Sequence, residues 1–346
     1  MKIALDAFGG DHAPAQIVAG GVEAHRTLGV EIVFLGPKAA VDEALTAAGA
    51  GKWAQIEDAP EIIGMDDHPV QAVRSKKASS IVRGVQMVAA GRADGFVSAG
   101  NSGAIMAAAL FGMRRIPGVE RPAIGSRIPT ATGRDCFLLD VGANVDARPE
   151  HLVQFARMGA IYAERLMGIA EPKVALLSIG EEPGKGNPLV QETDPLLRQQ
   201  PGLRYTGNIE GKDVFRGTAD VIVTDGFAGN VLIKTAEGVA EFLFRSLRDA
   251  LRGDPLATIG GALVRPKVQA LRRRADWREF GGALLLGVNG VAVIAHGRSD
   301  SRAIVNAIRV ARDAVRNEVV STITSALAQP GAPTQASTAS AAGDVT

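Results

Sequence analysis

The sequence predicts an α/β protein built on an open, largely parallel sheet. Three observations carry this. Short apolar runs of strand length alternate with stretches of helical period. Most of those runs end in glycines followed by Asn, Asp, Glu or Lys. Glycine is abundant at 41 of 346 residues while aromatics make up only 4%, which suits many tight strand-to-helix turns better than a β-sandwich. Hydrophobic content of 46% is ample for a core.

In chain order, Ile3–Asp6 reads as a strand. It runs into the loop Phe8-Gly9-Gly10-Asp11-His12 and a helix from about Ala15 to Leu28. Glu31–Leu35 is the next strand, then a helix over Ala39–Ala48 and a strand near Gln55–Asp58. Gly49-Ala50-Gly51-Lys52-Trp53-Ala54 has dinucleotide-fingerprint spacing, but it follows a helix and precedes a strand, the reverse of what that fingerprint needs. Asp66-Asp67-His68 reads as a solvated loop, because neighbouring residues on extended chain point to opposite faces.

Val70–Gly91 reads as one helix. Gly95–Ser98 is a strand leading through Ala99-Gly100-Asn101-Ser102-Gly103 into the helix Ile105–Met113. Pro122–Ile128 and Cys136–Val141 are apolar strands, the second ending in Gly142-Ala143-Asn144 before a helix over Pro149–Met167. Cys136 lies inside its strand, with no histidine nearby to activate it, and reads as core filler.

Val174–Ile179 is a buried strand that breaks into Gly180-Glu181-Glu182-Pro183-Gly184-Lys185-Gly186-Asn187, ahead of a helix at Leu189–Gln200. Glycines flank one lysine, so backbone N–H groups and a helix N-terminus can meet an anion. The spacing departs from the P-loop, and Gly186 stands where a magnesium-binding Ser or Thr belongs. Tyr205-Thr206-Gly207-Asn208 and Val221-Ile222-Val223-Thr224-Asp225 repeat the strand-to-loop event. The second continues through Gly229-Asn230 into a helix holding Lys234. Gly281–Val288 and Val291–Ile294 read as a closing strand pair, and Arg302–Ala326 as one long last helix. Residues 1–327 are expected to form one domain, and 328–346, poor in charge and bulk, a disordered tail.

Net charge of +1 gives no electrostatic case for nucleic acid. A single cysteine excludes an internal disulfide and suits a reducing cytosol. No signal peptide is expected, and the longest uncharged run, Gly281–His296, is too short and glycine-broken to span a bilayer. No Cys/His spacing suggests zinc, and neither a metal nor a cofactor is called for. The strand ends offer amides, backbone N–H groups and a few lysines, but no cue for a Ser-His-Asp triad. Such an inventory holds an anion and a carbonyl.

Taken together, MKIALDAFGGDHAP, VSAGNSGA, LLDVGANVDARPEHLVQFA, LLSIGEEPGKGN, GNIEGKD, VTDGFAGNVLIKT and GGALLLGV closely resemble the phosphate acyltransferase (PlsX) family, in register from Met1 to about Ala326. The resemblance implies a Rossmann-like αβα sandwich, similar to phosphate acetyltransferases and isocitrate dehydrogenases. It implies a homodimeric cytosolic enzyme that makes acyl phosphate from acyl-acyl-carrier-protein and inorganic phosphate, for phospholipid synthesis. Lys185, Asn187, Asn230 and His12 are then the expected catalytic residues, with His12 either donating to the leaving thiolate or serving its loop. Gly9, Gly10, Asn101, Ser102, Gly103, Asn144, Glu182, Gly184, Gly186, Asn208, Asp225 and Gly229 are expected to bind substrate and phosphate. Rival readings are a coenzyme A-dependent phosphate acetyl- or butyryltransferase, an isocitrate-type dehydrogenase, and a non-catalytic phosphate-binding membrane scaffold.

Residues 239–278 differ in texture. Val239, Leu243 and Leu247 share one helix face, with Glu241, Arg245 and Arg248 opposite. Leu256, Ile259, Leu263 and Val264 follow, then Arg265, Lys267 and Arg272–Arg274. This amphipathic, base-rich hairpin is expected to contact an anionic membrane reversibly, to pack in a dimer, or both.

Overall fold

The computed structural model describes residues 1–252, 255–274 and 276–328. The strands are β1 (Lys2–Asp6), β2 (Glu31–Gly36), β3 (Gln55–Asp58), β4 (Gly95–Ser98), β5 (Ala123–Pro129), β6 (Asp135–Leu139), β7 (Val174–Ser178), β8 (Tyr205–Glu210), β9 (Val221–Val223), β10 (Ala283–Leu286) and β11 (Val291–Ile294). The helices are α1 (Ala15–Leu28), α2 (Lys38–Ala47), α3 (Pro69–Ser75), α4 (Ser80–Ala89), α5 (Ser102–Gly112), α6 (Pro149–Met167), α7 (Pro188–Arg198), α8 (Gly226–Ala250), α9 (Pro255–Arg274), α10 (Ser301–Arg316) and α11 (Val319–Ala328).

All these strands form one sheet, in the order β3-β2-β1-β4-β11-β10-β5-β6-β9-β7-β8. The sheet is mixed rather than parallel. β3, β2, β1, β4 and β11 form one parallel block, and β6, β9, β7 and β8 another. Between them β10 is antiparallel to both neighbours, and so is β5, so the two blocks run in opposite directions. One row of paired residues crosses the middle: Val97, Val293, Leu284, Gly125, Leu139 and Val223. Val97 is next to last in β4 and Leu139 is last in β6. The two blocks therefore bring their C-terminal ends to the same row from opposite sides. A wholly parallel sheet would instead line one edge with them.

Helices cover both faces. On one, α1 and α10 pack against β1 and β11 in a core that includes Ile17, Phe34, Ile304 and Ile308. The apolar positions of α10 recur at Ile304, Ala307, Ile308, Ala311 and Ala314, the period of a buried helix stripe. Asp300 caps that helix by accepting from the Ala303 N–H at 3.0 Å. On the other face α4 and α5 pack over Phe96 and Ala292, and Ile233 of α8 packs over Ile222 and Leu138.

Two expected helices are broken. Val70–Gly91 is α3 and α4, because Lys76 Nζ turns back to the Ile62 carbonyl at 2.9 Å and Ser79 starts a new helix as its N-cap. The last helix is α10 and α11, parted at Asn317 and at Glu318, which has φ +53. The helix carrying Lys234 and the helix at Val239 are one continuous α8. The proposed 328–346 tail lies outside the described residues beyond Ala328, as do Gly253, Asp254 and the side chains of Leu256, Arg273 and Arg274.

Candidate active site

Three loop clusters follow strand C-termini, and one cavity lies against the central strands. The first cluster follows β1 and β4. Asp6 is wholly buried and accepts from Ser98 Oγ at 2.6 Å and from the Phe8 N–H at 3.1 Å. Burial pushes its carboxyl pKa up, opposed by those hydrogen bonds. Gly9 packs so closely that a Cβ would stand 2.6 Å from Asp6 Oδ2 and from the Gly100 nitrogen. Gly10 has φ +98, and the next residue, Asp11, donates its N–H to the Gly297 carbonyl at 2.8 Å, joining this loop to the one after β11. His12 is exposed and outside the cavity lining.

Asn101 caps α5, its Oδ1 accepting from the Ala104 N–H at 3.0 Å, while Nδ2 donates to the carbonyls of Met65 and Asp67 at 3.1 and 3.0 Å. Its amide thus fixes the start of α5 and ties it to the loop before α3. Gly103 sits against Pro69, and Ser102 is left facing the cavity.

The second cluster follows β6 and β9. Asp140 accepts five hydrogen bonds, from the N–H groups of Ile124, Gly142, Ala143 and Asn144 and from Asn144 Nδ2. Burial raises its pKa against them. Asn144 Nδ2 also reaches the Pro122 carbonyl at 2.7 Å. Asp225 caps α8 by accepting from the N–H groups of Phe227 and Ala228, both at 2.9 Å. Gly229 lets the first turn of α8 settle onto this loop and so aims Asn230 into the cavity.

The third cluster follows β7 and β8. Gly184 and Gly186 have φ +86 and +102, which only glycine adopts readily. Gln191 Nε2 holds both of their carbonyls at 2.9 Å. Asn187 caps α7 through the Val190 N–H at 3.0 Å, and Asn208 Nδ2 donates to the Glu182 carbonyl at 3.4 Å. Lys185 is exposed on the loop these contacts stiffen. Beneath it Ser178 Oγ and Asn208 Oδ1 are buried with no protein partner, so a polar ligand has atoms to satisfy there.

The cavity measures about 510 Å³ and lies against the central strands, between the start of α5 and the flank of α8. Its size is in the usual range for a small-molecule site. Ile124, Ile128, Val141, Ile233, Phe280 and Ile294 make an apolar wall. Its polar lining comprises Ser102, Ser126, Arg127, Asn230, Lys234, Glu237, His296 and Ser299. Of the residues expected at the site, Ser102 and Asn230 line the cavity; Lys185, Asn187, His12 and the other expected residues do not. Lys234, Glu237, His296 and Ser299 are not among the residues expected at the site. The helical spacing Asn230, Lys234, Glu237 is a signal for Lys234 and Glu237; His296 and Ser299, after a buried strand, have none.

Cys136 is fully buried and its thiol is pushed up to about 12 by desolvation, which leaves it unreactive. Among the described residues no group of three or more His, Cys, Asp or Glu side chains gathers into a metal site.

The mixed sheet, with its central reversal and helices on both faces, is an α/β sandwich whose fold is shared by solved phosphotransacetylases. A phosphotransacetylase from Streptococcus pyogenes shares the fold at TM-score 0.57 and 18% identity, over 95% of this chain and 94% of its own. A branched-chain phosphotransacylase from Enterococcus faecalis V583 does so at TM-score 0.57 and 13% identity, over 91% and 99%. Residues 1–322 match the family model described as "Fatty acid synthesis protein". A phosphate acyltransferase of Heliobacterium modesticaldum is 49% identical over 325 residues, 93% of this chain and 96% of the relative. One from Gloeobacter violaceus is 49% identical over 332 residues, 95% and 98%. The chain belongs to the phosphate acyltransferase family.

Proposed function

We propose that the chain transfers an acyl group from acyl-acyl-carrier-protein to inorganic phosphate, supplying acyl phosphate for glycerol-phosphate acylation in phospholipid synthesis. The cavity carries this reading: its apolar lining residues suit a hydrocarbon chain, and its polar ones suit a carbonyl and a phosphate. In the reaction a phosphate oxygen bonds to the thioester carbonyl carbon, the carbon–sulfur bond breaks, and the phosphate's proton ends on the thiol. Phosphate near neutral pH is anionic enough to attack without a strong base, and a thiol of pKa about 8.5 leaves readily. The protein's task is then to position the reactants and stabilise the oxyanion. Asn230 and Ser102 supply donors inside the cavity. Lys185, with Asn208 and Ser178 beneath its loop, supplies charge for phosphate or oxyanion.

The protruding helices support two further parts of the reading. Val239, Phe242 and Leu243 of α8 are 51%, 67% and 57% exposed, and Ile259 and Leu263 of α9 are 62% and 78% exposed. We assign the α8 stripe to a homodimer and the α9 residues, flanked by Arg265, Lys267 and Arg272, to reversible contact with an anionic membrane. No helix among the described residues is long and apolar enough to cross a membrane. The test of donor class compares phosphate-dependent thiol release from acyl-acyl-carrier-protein and from acyl-coenzyme A. Faster release from the carrier protein is expected, and a preference for coenzyme A points instead to a phosphotransacetylase-like activity.

A further inference from the structure

Asn230 and Lys234 are one helical turn apart on α8, and both face the cavity. Lys234 Nζ lies 3.0 Å from Glu237 Oε2 and 3.0 Å from His296 Nε2, so one residue from its own helix and one from the loop after β11 hold it from two sides. Two donors, Lys234 Nζ and the Arg298 N–H at 3.2 Å from Nδ1, compete for the imidazole lone pair. An imidazolium would offer none, so the surroundings select the neutral ring. Burial and the Lys234 charge lower the His296 pKa in the same sense, outweighing Glu237 and Asp11.

A second, independent observation places a polar ligand here. Ser299 Oγ lines the same cavity, is completely buried, and has no partner among the described residues. Its N–H donates to the His296 carbonyl at 2.9 Å, so one turn carries both side chains. Ser102, first residue of α5, adds a hydroxyl from the facing wall beside a helix N-terminus.

We propose that Lys234 binds the phosphate inside this cavity as a cation distinct from Lys185, and that His296 is the positioning residue that aims it. This rests on the acyl-to-phosphate reading and adds to it a second charged contact. Glu237 pairs with the ammonium from the same helix at 3.0 Å. The neutral His296 holds its direction without adding a competing charge, leaving the remaining N–H bonds of Lys234 for the ligand.

The test titrates inorganic phosphate into the intact protein without acyl substrate, following Tm. Ligand that binds only the folded state raises Tm with concentration. The wild type is expected to respond, and Lys234→Gln to need at least about tenfold more phosphate, as loss of a charge-assisted contact predicts. His296→Gln, which keeps an acceptor near the Nε2 position, should retain most of the response, and His296→Leu should lose it. Phosphate KM in the acyl-transfer assay should follow the same order. A wild type whose Tm ignores phosphate, or a Lys234→Gln variant with unchanged response and unchanged KM, overturns the proposal. Phosphate binding through Lys234 without acyl phosphate formation would instead remove the acyl-transfer reading and leave this site standing.

Discussion

The carbonyl oxygen of Asp140 sits 1.9 Å from where a Cβ on Gly229 would stand. Because Asp140 is itself fixed by five hydrogen bonds, α8 would have to move to admit a methyl group there. Gly229→Ala is therefore expected to cost about 1–3 kcal/mol, the usual range for overpacking. It should also cut turnover more than that loss explains, since Asn230 and Lys234 shift with the helix. Urea unfolding and kcat on the same variant check both. Unchanged stability and unchanged kcat would mean that the α8 start is not held in register by this contact.

A second prediction concerns acid. The folded-state pKa of His296 lies below its unfolded value near 6.5, so below that pH the unfolded chain binds the extra proton first. Its contribution to stability is present above pH 6.5 and is lost as pH falls through 6.5 toward the folded pKa. The buried carboxyls Asp6 and Asp140 are raised and act in the opposite sense, so a single melting curve mixes them. The difference in Tm between wild type and His296→Gln isolates the histidine. Between pH 7.5 and 5.5 the wild type should lose more Tm than the variant; parallel curves would show that the imidazole is not perturbed.

Much of this architecture is visible in local sequence. α1 and α6 have the expected bounds, α1 closing at Gly29 with φ +64 and α6 at Gly168 with φ +68. The missed breaks had signals of their own, Ser79 as an N-cap and Asn317 as a helix end. The reversal at β10 and β5 had none, because an apolar strand such as Ala283–Leu286 reads the same in either direction and its neighbours are chosen by the whole sheet. The site shows the same limit. Asn101, Asn144 and Asn187, placed after strands, read as ligand contacts, and Asp225 as a residue that orients such contacts. The structure uses their side chains as caps and loop ties, a role local sequence does not separate from ligand binding.

A third prediction addresses the exposed apolar residues of α9. The double variant Ile259→Glu/Leu263→Glu places two carboxylates on the exposed α9 surface. With anionic vesicles at physiological salt, the wild type should co-sediment and the double variant should stay largely in solution, while both remain unbound to neutral vesicles. Equal sedimentation of the two proteins would exclude these residues from the membrane contact. Activity on a soluble acyl donor should be unaffected, since neither residue lines the cavity.

The fourth prediction separates the two lysines. Lys185→Ala removes a charge from an exposed loop whose backbone is pinned by Gln191, so the fold should persist. Turnover should fall on the order of 100-fold or more if this charge stabilises phosphate or oxyanion in the transition state. Near wild-type kcat in a folded variant would take Lys185 out of the mechanism.

The most direct test is the identity of the product. Long-chain acyl-acyl-carrier-protein and inorganic phosphate, incubated with the protein and examined by mass spectrometry, should yield acyl phosphate and free carrier-protein thiol in equal amounts. Formation should require phosphate and should be suppressed in Lys185→Ala. Free fatty acid in place of acyl phosphate, or no phosphate-dependent loss of the thioester, would contradict the account.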